Sequence, residues 1–552
     1  MKILSKSFYL IGLISLSVII SCTKKDELNK ELTHKVDSLF QKWDNDYSPG
    51  AAVAILKDGE LIFKKGYGMA NLEYGIPISP SSIFHIASNS KQFVAFCIVL
   101  LELEGKLSLN DDIRKFLPEL PDFGEKITIK NLIHHTSGLR DQWQLLNISG
   151  TRIDDVIKQD HILRLVKNQE RLNFEPGSRY LYCNTGYTLL AEIVKKVSGQ
   201  SLREFAAAKI FQPLGMRNTH FHDNYKEIVK NRTYSYSPKD SISFENSILS
   251  YSTVGATSLF TTVEDEAKWL NNYFTTEIGG KDAIDQMYEL GITNSGDTLE
   301  YAFALRIDTY KGYKRIGHSG SDAGYRSYTI RFPERNLGLI VFSNVSDFNS
   351  QLMTMKVADI FLDGSNNDKS LPINRLELSR ESKNLLVGKY YNDEGLFFDI
   401  LDSTKLYVRN RDVIQEMTPV SESVFTIMEG VAILKFCKVE NYPLQYYDQS
   451  HIYLFQKYQP FELTSEDMKY YQGIFRNDEL ETQYEIYNRN GHLVLGHNKY
   501  EDVSLTPITK NQFSCPHRWM ENLIFQRDSR GKITGFEVNS GRVLHLFFRK
   551  VV

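Results

Sequence analysis

Ser88-Asn89-Ser90-Lys91 sets a hydroxyl and an amine three residues apart, at the head of the apolar run Phe93 to Leu101. Residues three apart share a helix face, so a helix opening near Ser88 points both groups the same way. The N-terminus of that helix adds partial positive charge and backbone N–H groups that have no acceptor within the helix. A serine nucleophile needs a neighbour to manage its proton and amides to hold a developing oxyanion. Taken alone, the same serine also reads as an ordinary N-cap.

Two further stretches carry chemistry. In Tyr182-Cys183-Asn184 the first and third residues face one side of an extended segment. A tyrosine beside an ammonium can act as a general base, and an asparagine can grip a substrate amide. Cys183, between them, faces the other way and reads as packing. The pattern recurs at Tyr390-Tyr391-Asn392, so it carries little alone. The other stretch is Gly317-His318-Ser319-Gly320-Ser321, at the end of one strand signal and before another. His134-His135 lacks metal-ligand spacing and reads as structural; no metal or other cofactor is expected.

These groups must be held by particular elements. Ala51 to Leu56, an Asp58-Gly59 turn and Leu61 to Phe63 predict a β-hairpin ahead of the Ser88 helix. Residues 31–45 read as an amphipathic helix, Leu189 to Val197 as a helix behind the Tyr182 segment, and 315–332 and 337–344 as strands.

Ser88-x-x-Lys91, Tyr182-x-Asn184 and His318-Ser319-Gly320, in that order, resemble the serine β-lactamase and penicillin-binding-protein superfamily. The nearest branch holds class C β-lactamases, D,D-peptidases and esterases. His135-Thr136-Ser137-Gly138-Leu139, Pro213-Leu214-Gly215-Met216 and Gly255 to Phe260 support it. The resemblance implies an α+β fold: a five-stranded antiparallel sheet flanked by helices, with an all-helical lobe. It implies an acyl-enzyme on Ser88, with Lys91 and Tyr182 sharing its proton. The N–H groups of Ser88 and Ser321 would form the oxyanion hole. Asn184, His318, Ser319 and Gly320 would bind substrate: a peptide, a β-lactam or a small ester. Many β-lactamases carry Lys-Thr-Gly where this chain has His318-Ser319-Gly320. A neutral imidazole offers a substrate carboxylate less charge than an ammonium, which disfavours β-lactams relative to peptides and esters.

The organisation reads in six parts. Residues 1–21 form an export signal: Lys2 and Lys6, then a run from Phe8 to Ile20 too short to span a membrane. Ile19-Ile20-Ser21-Cys22 resembles a lipobox, so Cys22 is the expected lipidated residue, tethered through 22–30 to a bacterial envelope membrane. Cleavage there separates Ser21 from Lys24 and voids the second S-x-x-K of the chain. Lys25-Asp26-Glu27 resembles a cell-surface export signal. The hydrolase domain is expected at 31–362 and a polar linker at 363–373. Two β-rich units follow, 374–460 and 461–552, of meander or small-barrel type. Leu378-Ser379-Arg380-Glu381 returns as Leu463-Thr464-Ser465-Glu466, and Gly388 as Gly473, 85 residues on. Thr418-Pro419 returns as Thr506-Pro507 at 88. The units resemble lipocalin-like domains appended to some family hydrolases.

The formal charge of -3 becomes -5 once the signal is cut, with no basic run, so nucleic acid is not an expected partner. The remaining cysteines, Cys97, Cys183, Cys437 and Cys515, are scattered singly and predict no disulfide framework. Two alternatives remain. One is a catalytically silent, surface-binding lipoprotein on the same fold. The other is an α/β-hydrolase built on Gly317 to Ser321, which would need an alternating βα pattern that the β-rich C-terminus does not supply.

Overall fold

The computed structural model describes residues 31–362 and 378–551, apart from 393–395, 411–412, 428–431, 438–443 and 448–451. The expected signal, Cys22, its tether and the linker at 363–373 lie outside the described residues. The chain forms two units. One takes the residues up to Leu103, Ser198–Glu289 and those from Phe303 to Leu362. The other takes Glu104–Val197, Leu290–Ala302 and both β-rich repeats.

The first unit is built on an antiparallel sheet of β1 (Ala51–Lys57), β2 (Glu60–Tyr67), β3 (Arg306–Tyr310), β4 (Tyr313–Asp322), β5 (Tyr325–Phe332) and β6 (Leu337–Ser343). Their order is β3-β4-β5-β6-β1-β2. This is the expected five-stranded sheet with one edge strand added. That strand, β3, turns into β4 through Lys311-Gly312, whose φ values of +49° and +78° suit a tight hairpin. The Asp58-Gly59 turn has the same character, with φ values of +53° and +82°.

β1 is buried on both faces because helices cover both. Ala51, Val53 and Ile55 join Ile330, Leu339 and Val341 against Val36, Phe40 and the helix Ser350–Phe361. On the other side the helix Val263–Thr275 packs on β1 and β6. Gly338 permits this approach, since a Cβ there would meet Leu270 Cδ1 at 3.0 Å. Trp269 of that helix lies 4.6 Å from Phe93 and 5.1 Å from Phe96, ring centre to ring centre. The helix carrying those two residues, Ser90–Leu103, is apolar nearly all round because it is a core element.

The two C-terminal repeats share one topology. In each, a meander of nine strands among the described residues brings its first strand, Gly388–Tyr391 or Gly473–Asn477, beside its last, Ile452–Tyr458 or Val543–Lys550. The repeated sequence has a physical reason. Ser379 and Thr464 each cap a seven-residue helix, Arg380–Leu386 and Ser465–Tyr471, by accepting a backbone N–H. Gly388 and Gly473 each begin a first strand at φ +153° and +142°, backbone that favours glycine. Pro419 and Pro507 lie in the strands at the open edge of each meander, where a missing N–H costs least.

Within the second unit, the second repeat is fastened to the helical segment by Arg140. Its side chain is fully buried, and Nη1 lies 2.8 Å from Glu479 Oε2. Nε donates to Leu544 O at 3.0 Å and Nη2 to His545 O at 2.7 Å. Removing one partner of a buried pair strands the other, at about 3–5 kcal/mol. Arg140→Met is therefore expected to lower the first thermal transition and to speed proteolytic release of the second repeat. Adding Glu479→Met to it should restore part of the loss.

Candidate active site

Ser88 does not open an α-helix directly. It is the middle residue of a 3-10 turn, Ala87–Asn89, that feeds the helix starting at Ser90. The turn is pinned from beneath. Ser327 Oγ of β5 donates to Ile86 O at 2.7 Å, and Asn89 Nδ2 donates to Ser327 Oγ at 2.8 Å. Ser90 Oγ donates to Ala87 O at 2.6 Å and accepts from Leu259 N at 2.9 Å. So held, Ala87 keeps a left-handed φ of +49°. Such strain costs on the order of 1–3 kcal/mol and gathers at functional sites.

Ser88 is half-buried and Lys91 fully buried. Lys91 Nζ donates to Ser88 Oγ at 2.9 Å and to Ala256 O at 2.7 Å. The 3-10 turn and the first turn of the helix together set the amine on the serine hydroxyl.

β4 runs past the same turn. A Cβ on Gly320 would meet Ile86 O at 2.3 Å, Ser327 Oγ at 2.4 Å and Ala87 Cβ at 3.1 Å, so only glycine fits there. Ser321 follows it, exposed, opposite Arg326 of β5. His318 is buried, and its Nδ1 lies 2.5 Å from Ser319 O, so Nδ1 carries the proton and Nε2 the lone pair. Burial, reinforced by the charge of Lys91, pushes His318 down to about 3. It is therefore neutral at pH 7.

Asp322, one residue beyond Ser321, went unnoticed in the sequence. Burial pushes its carboxyl up to about 6, while a hydrogen bond from Thr257 Oγ1 at 2.9 Å and the charge of Lys91 pull the other way. Only its place directly after the strand motif could have flagged it.

Tyr182 and Asn184 belong to the other unit. They do not share an extended segment as expected, because Asn184 is the first residue of the helix Asn184–Ser198. The cause is Asp141, whose buried Oδ2 accepts from both Asn184 N and Asn184 Nδ2 at 2.8 Å. A carboxylate brought from a distant segment starts the helix as an N-cap would. It also fixes the Asn184 amide through its Nδ2.

His135 is held from two sides within its own unit. Its ring centre lies 4.2 Å from that of Tyr182, Nδ1 accepts from Cys183 N at 3.1 Å, and Nε2 lies 3.1 Å from Tyr301 Oη. Cys183 is packing: its thiol points to Leu139 O at 3.2 Å, and burial pushes it up to about 12. A thiol so displaced is unreactive at neutral pH.

Among the described residues, one group has metal-ligand geometry: His220, His222 and Glu227, with ligand atoms within 4.8 Å. Arg203 already holds both Glu227 oxygens, at 2.6 and 2.8 Å, so a cation would have to displace a guanidinium.

Residues 36–360 match the Beta-lactamase family. The chain is 30% identical over 301 residues to a D-aminopeptidase of Gluconobacter oxydans; the match spans 54% of this chain and 56% of that protein. It is 24% identical over 524 residues to a D-aminopeptidase of Brucella anthropi, spanning 91% and 95%. The octameric penicillin-binding protein homologue from Pyrococcus abyssi superposes with a TM-score of 0.56 at 25% identity, covering 86% of this chain and 99% of that one.

The buried carboxyl gives a pH test. Asp322 stands at about 6 in the folded chain, against 3.8 ordinarily. The folded state therefore keeps this proton longer than the unfolded state does. The stability it contributes is present below pH 4 and lost as pH rises to 6, at most about 3 kcal/mol. Urea melts between pH 4 and 7 should show wild type losing ground to Asp322→Asn across that window and no further above it.

Proposed function

The chain belongs to the Beta-lactamase family of serine hydrolases, and from that premise we propose that it cleaves amide or ester bonds of D-amino-acid peptides and amides through an acyl-enzyme on Ser88. The observation that carries the reading is the 2.9 Å contact from Lys91 Nζ to Ser88 Oγ, on a strained turn ahead of a core helix. The D-aminopeptidase relatives support the substrate class. The neutral His318 supports it too, since a β-lactam carboxylate would find no cation on that residue.

In this mechanism Ser88 Oγ attacks the substrate carbonyl while Lys91 and Tyr182 take its proton. The N–H groups of Ser88 and Ser321 hold the oxyanion; one such donor contributes about 2.7–4 kcal/mol. Asn184 holds a substrate amide. The proton passes to the departing amine or alkoxide as the tetrahedral intermediate collapses. Water then attacks the ester on Ser88 by the reverse proton path, releasing the acid. Lys91 and Tyr182 act as a unit, so the effects of their substitution are not additive.

Intact mass after incubation with a fluorophosphonate should show one adduct on wild type and none on Ser88→Ala. A D-alanine amide should be turned over, with benzylpenicillin consumed far more slowly. Failure of the fluorophosphonate to modify wild type, with neither the amide nor benzylpenicillin consumed, would favour a silent binding protein.

The reading includes export and anchoring through a lipid on Cys22, supported by Lys2, Lys6, the short apolar run and Ile19-Ile20-Ser21-Cys22. Labelled palmitate should enter the chain in a bacterial host and be lost in Cys22→Ser.

A further inference from the structure

The turn joining β7 (Ile533–Ser540) to β8 (Val543–Lys550) in the second repeat has no assigned role. Its two central residues are Gly541, at φ +54°, and Arg542. The backbone of this tip is tied to the helical segment of the same unit. Arg542 N donates to Gln144 Oε1 at 2.9 Å. Arg542 O accepts from Asp141 N at 3.2 Å and from Asn173 Nδ2 at 3.0 Å. Leu544 N donates to Asn173 Oδ1 at 2.8 Å. Gln144 Nε2 also bonds Ser540 O.

This anchoring puts the Arg542 side chain on the Y-x-N motif. Its guanidinium carbon sits 4.7 Å from the centre of the Tyr182 ring. Nη1 is 4.0 Å from Asp141 Oδ2, the oxygen that also holds Asn184. That distance is beyond a hydrogen bond. The side chain is 45% exposed, and among the described residues its guanidinium donates no hydrogen bond. A guanidinium laid on an aromatic ring by one face keeps its N–H edge available for in-plane, bidentate bonding to a carboxylate.

We propose that Arg542 is a specificity-determining residue: it grips the carboxylate of a short peptide whose amide is held at Asn184. The inference rests on the acyl-enzyme reading above. Asn184 and Arg542 flank one Asp141 carboxylate, so the two groups they select lie about one residue apart in the substrate. His318, neutral at pH 7, offers no such charge.

The test compares kcat/KM for two substrates with the same scissile bond, a D-alanyl dipeptide as free acid and as its carboxamide. In Arg542→Met the acid-to-amide ratio should fall about tenfold or more, mainly through KM of the acid. Arg542→Lys should keep the ratio within about threefold of wild type. Both variants are checked for fold by thermal melting and for fluorophosphonate labelling of Ser88. An unchanged ratio in Arg542→Met, or equal loss on both substrates, overturns the proposal while labelling of Ser88 persists. Absence of Ser88 labelling in wild type overturns the acyl-enzyme reading, and this inference with it.

Discussion

The close approach of β4 to the turn that carries Ser88 is the constraint from which the candidate site of the first unit follows. Gly320 has no side chain because the Ile86 carbonyl and Ala87 Cβ occupy that space. Ser327 answers the same carbonyl with its hydroxyl, and Asn89 answers Ser327. The contacts close a small loop of backbone and polar side chains that leaves the turn one conformation. Ala87 accepts a left-handed φ within it. The direction of Ser88 Oγ is thus set by a sheet and a helix. Preorganisation of this kind lets a hydroxyl and an amine meet at hydrogen-bond distance without a reorganisation cost during reaction.

The same burial that fixes geometry also sorts charge. Lys91 is enclosed, with Ala256 O as a second acceptor. His318 is driven neutral by its burial and by that lysine, while Asp322 holds its proton to about pH 6. Two ionisable groups on β4, His318 and Asp322, therefore do not titrate as they would in water. The enclosed amine keeps positive charge off the imidazole, so a histidine in this strand motif is not a conservative replacement for a lysine.

Much of this was legible in the sequence, for local reasons. The spacing of Ser88 and Lys91 is a helix property, and the Asp58-Gly59 hairpin is a turn property. The repeat of Ser379 and Gly388 as Thr464 and Gly473 follows from capping and from backbone that favours glycine. What stayed hidden depends on chain brought from afar or on depth. β3 was missed because Lys311-Gly312 lacks the usual asparagine or aspartate of such turns. Asn184 reads as part of an extended segment because its helix is started by Asp141, 43 residues earlier. Asp322 carries no signal in the sequence because burial, which perturbs it, is not written in its neighbours. Arg542 lies 360 residues from Tyr182, beyond any pattern of spacing.

The second repeat also differs from an inert appendage in how it is attached. An inert domain is held well enough by apolar contact and a polar rim. Here the attachment uses a fully buried arginine paired with Glu479, together with backbone bonds to Leu544 and His545. Burying such a pair gains little net stability over an apolar contact of the same size, because desolvation offsets the attraction. What it gains is register: guanidinium geometry tolerates few alternative seatings. Arg140 precedes Asp141, and Arg542 precedes the strand residues that Arg140 binds. One buried cation therefore indexes the β7–β8 tip against the segment that holds Asn184. The buried pair and its backbone partners thus fix the tip at which the Arg542 guanidinium meets the Tyr182 ring.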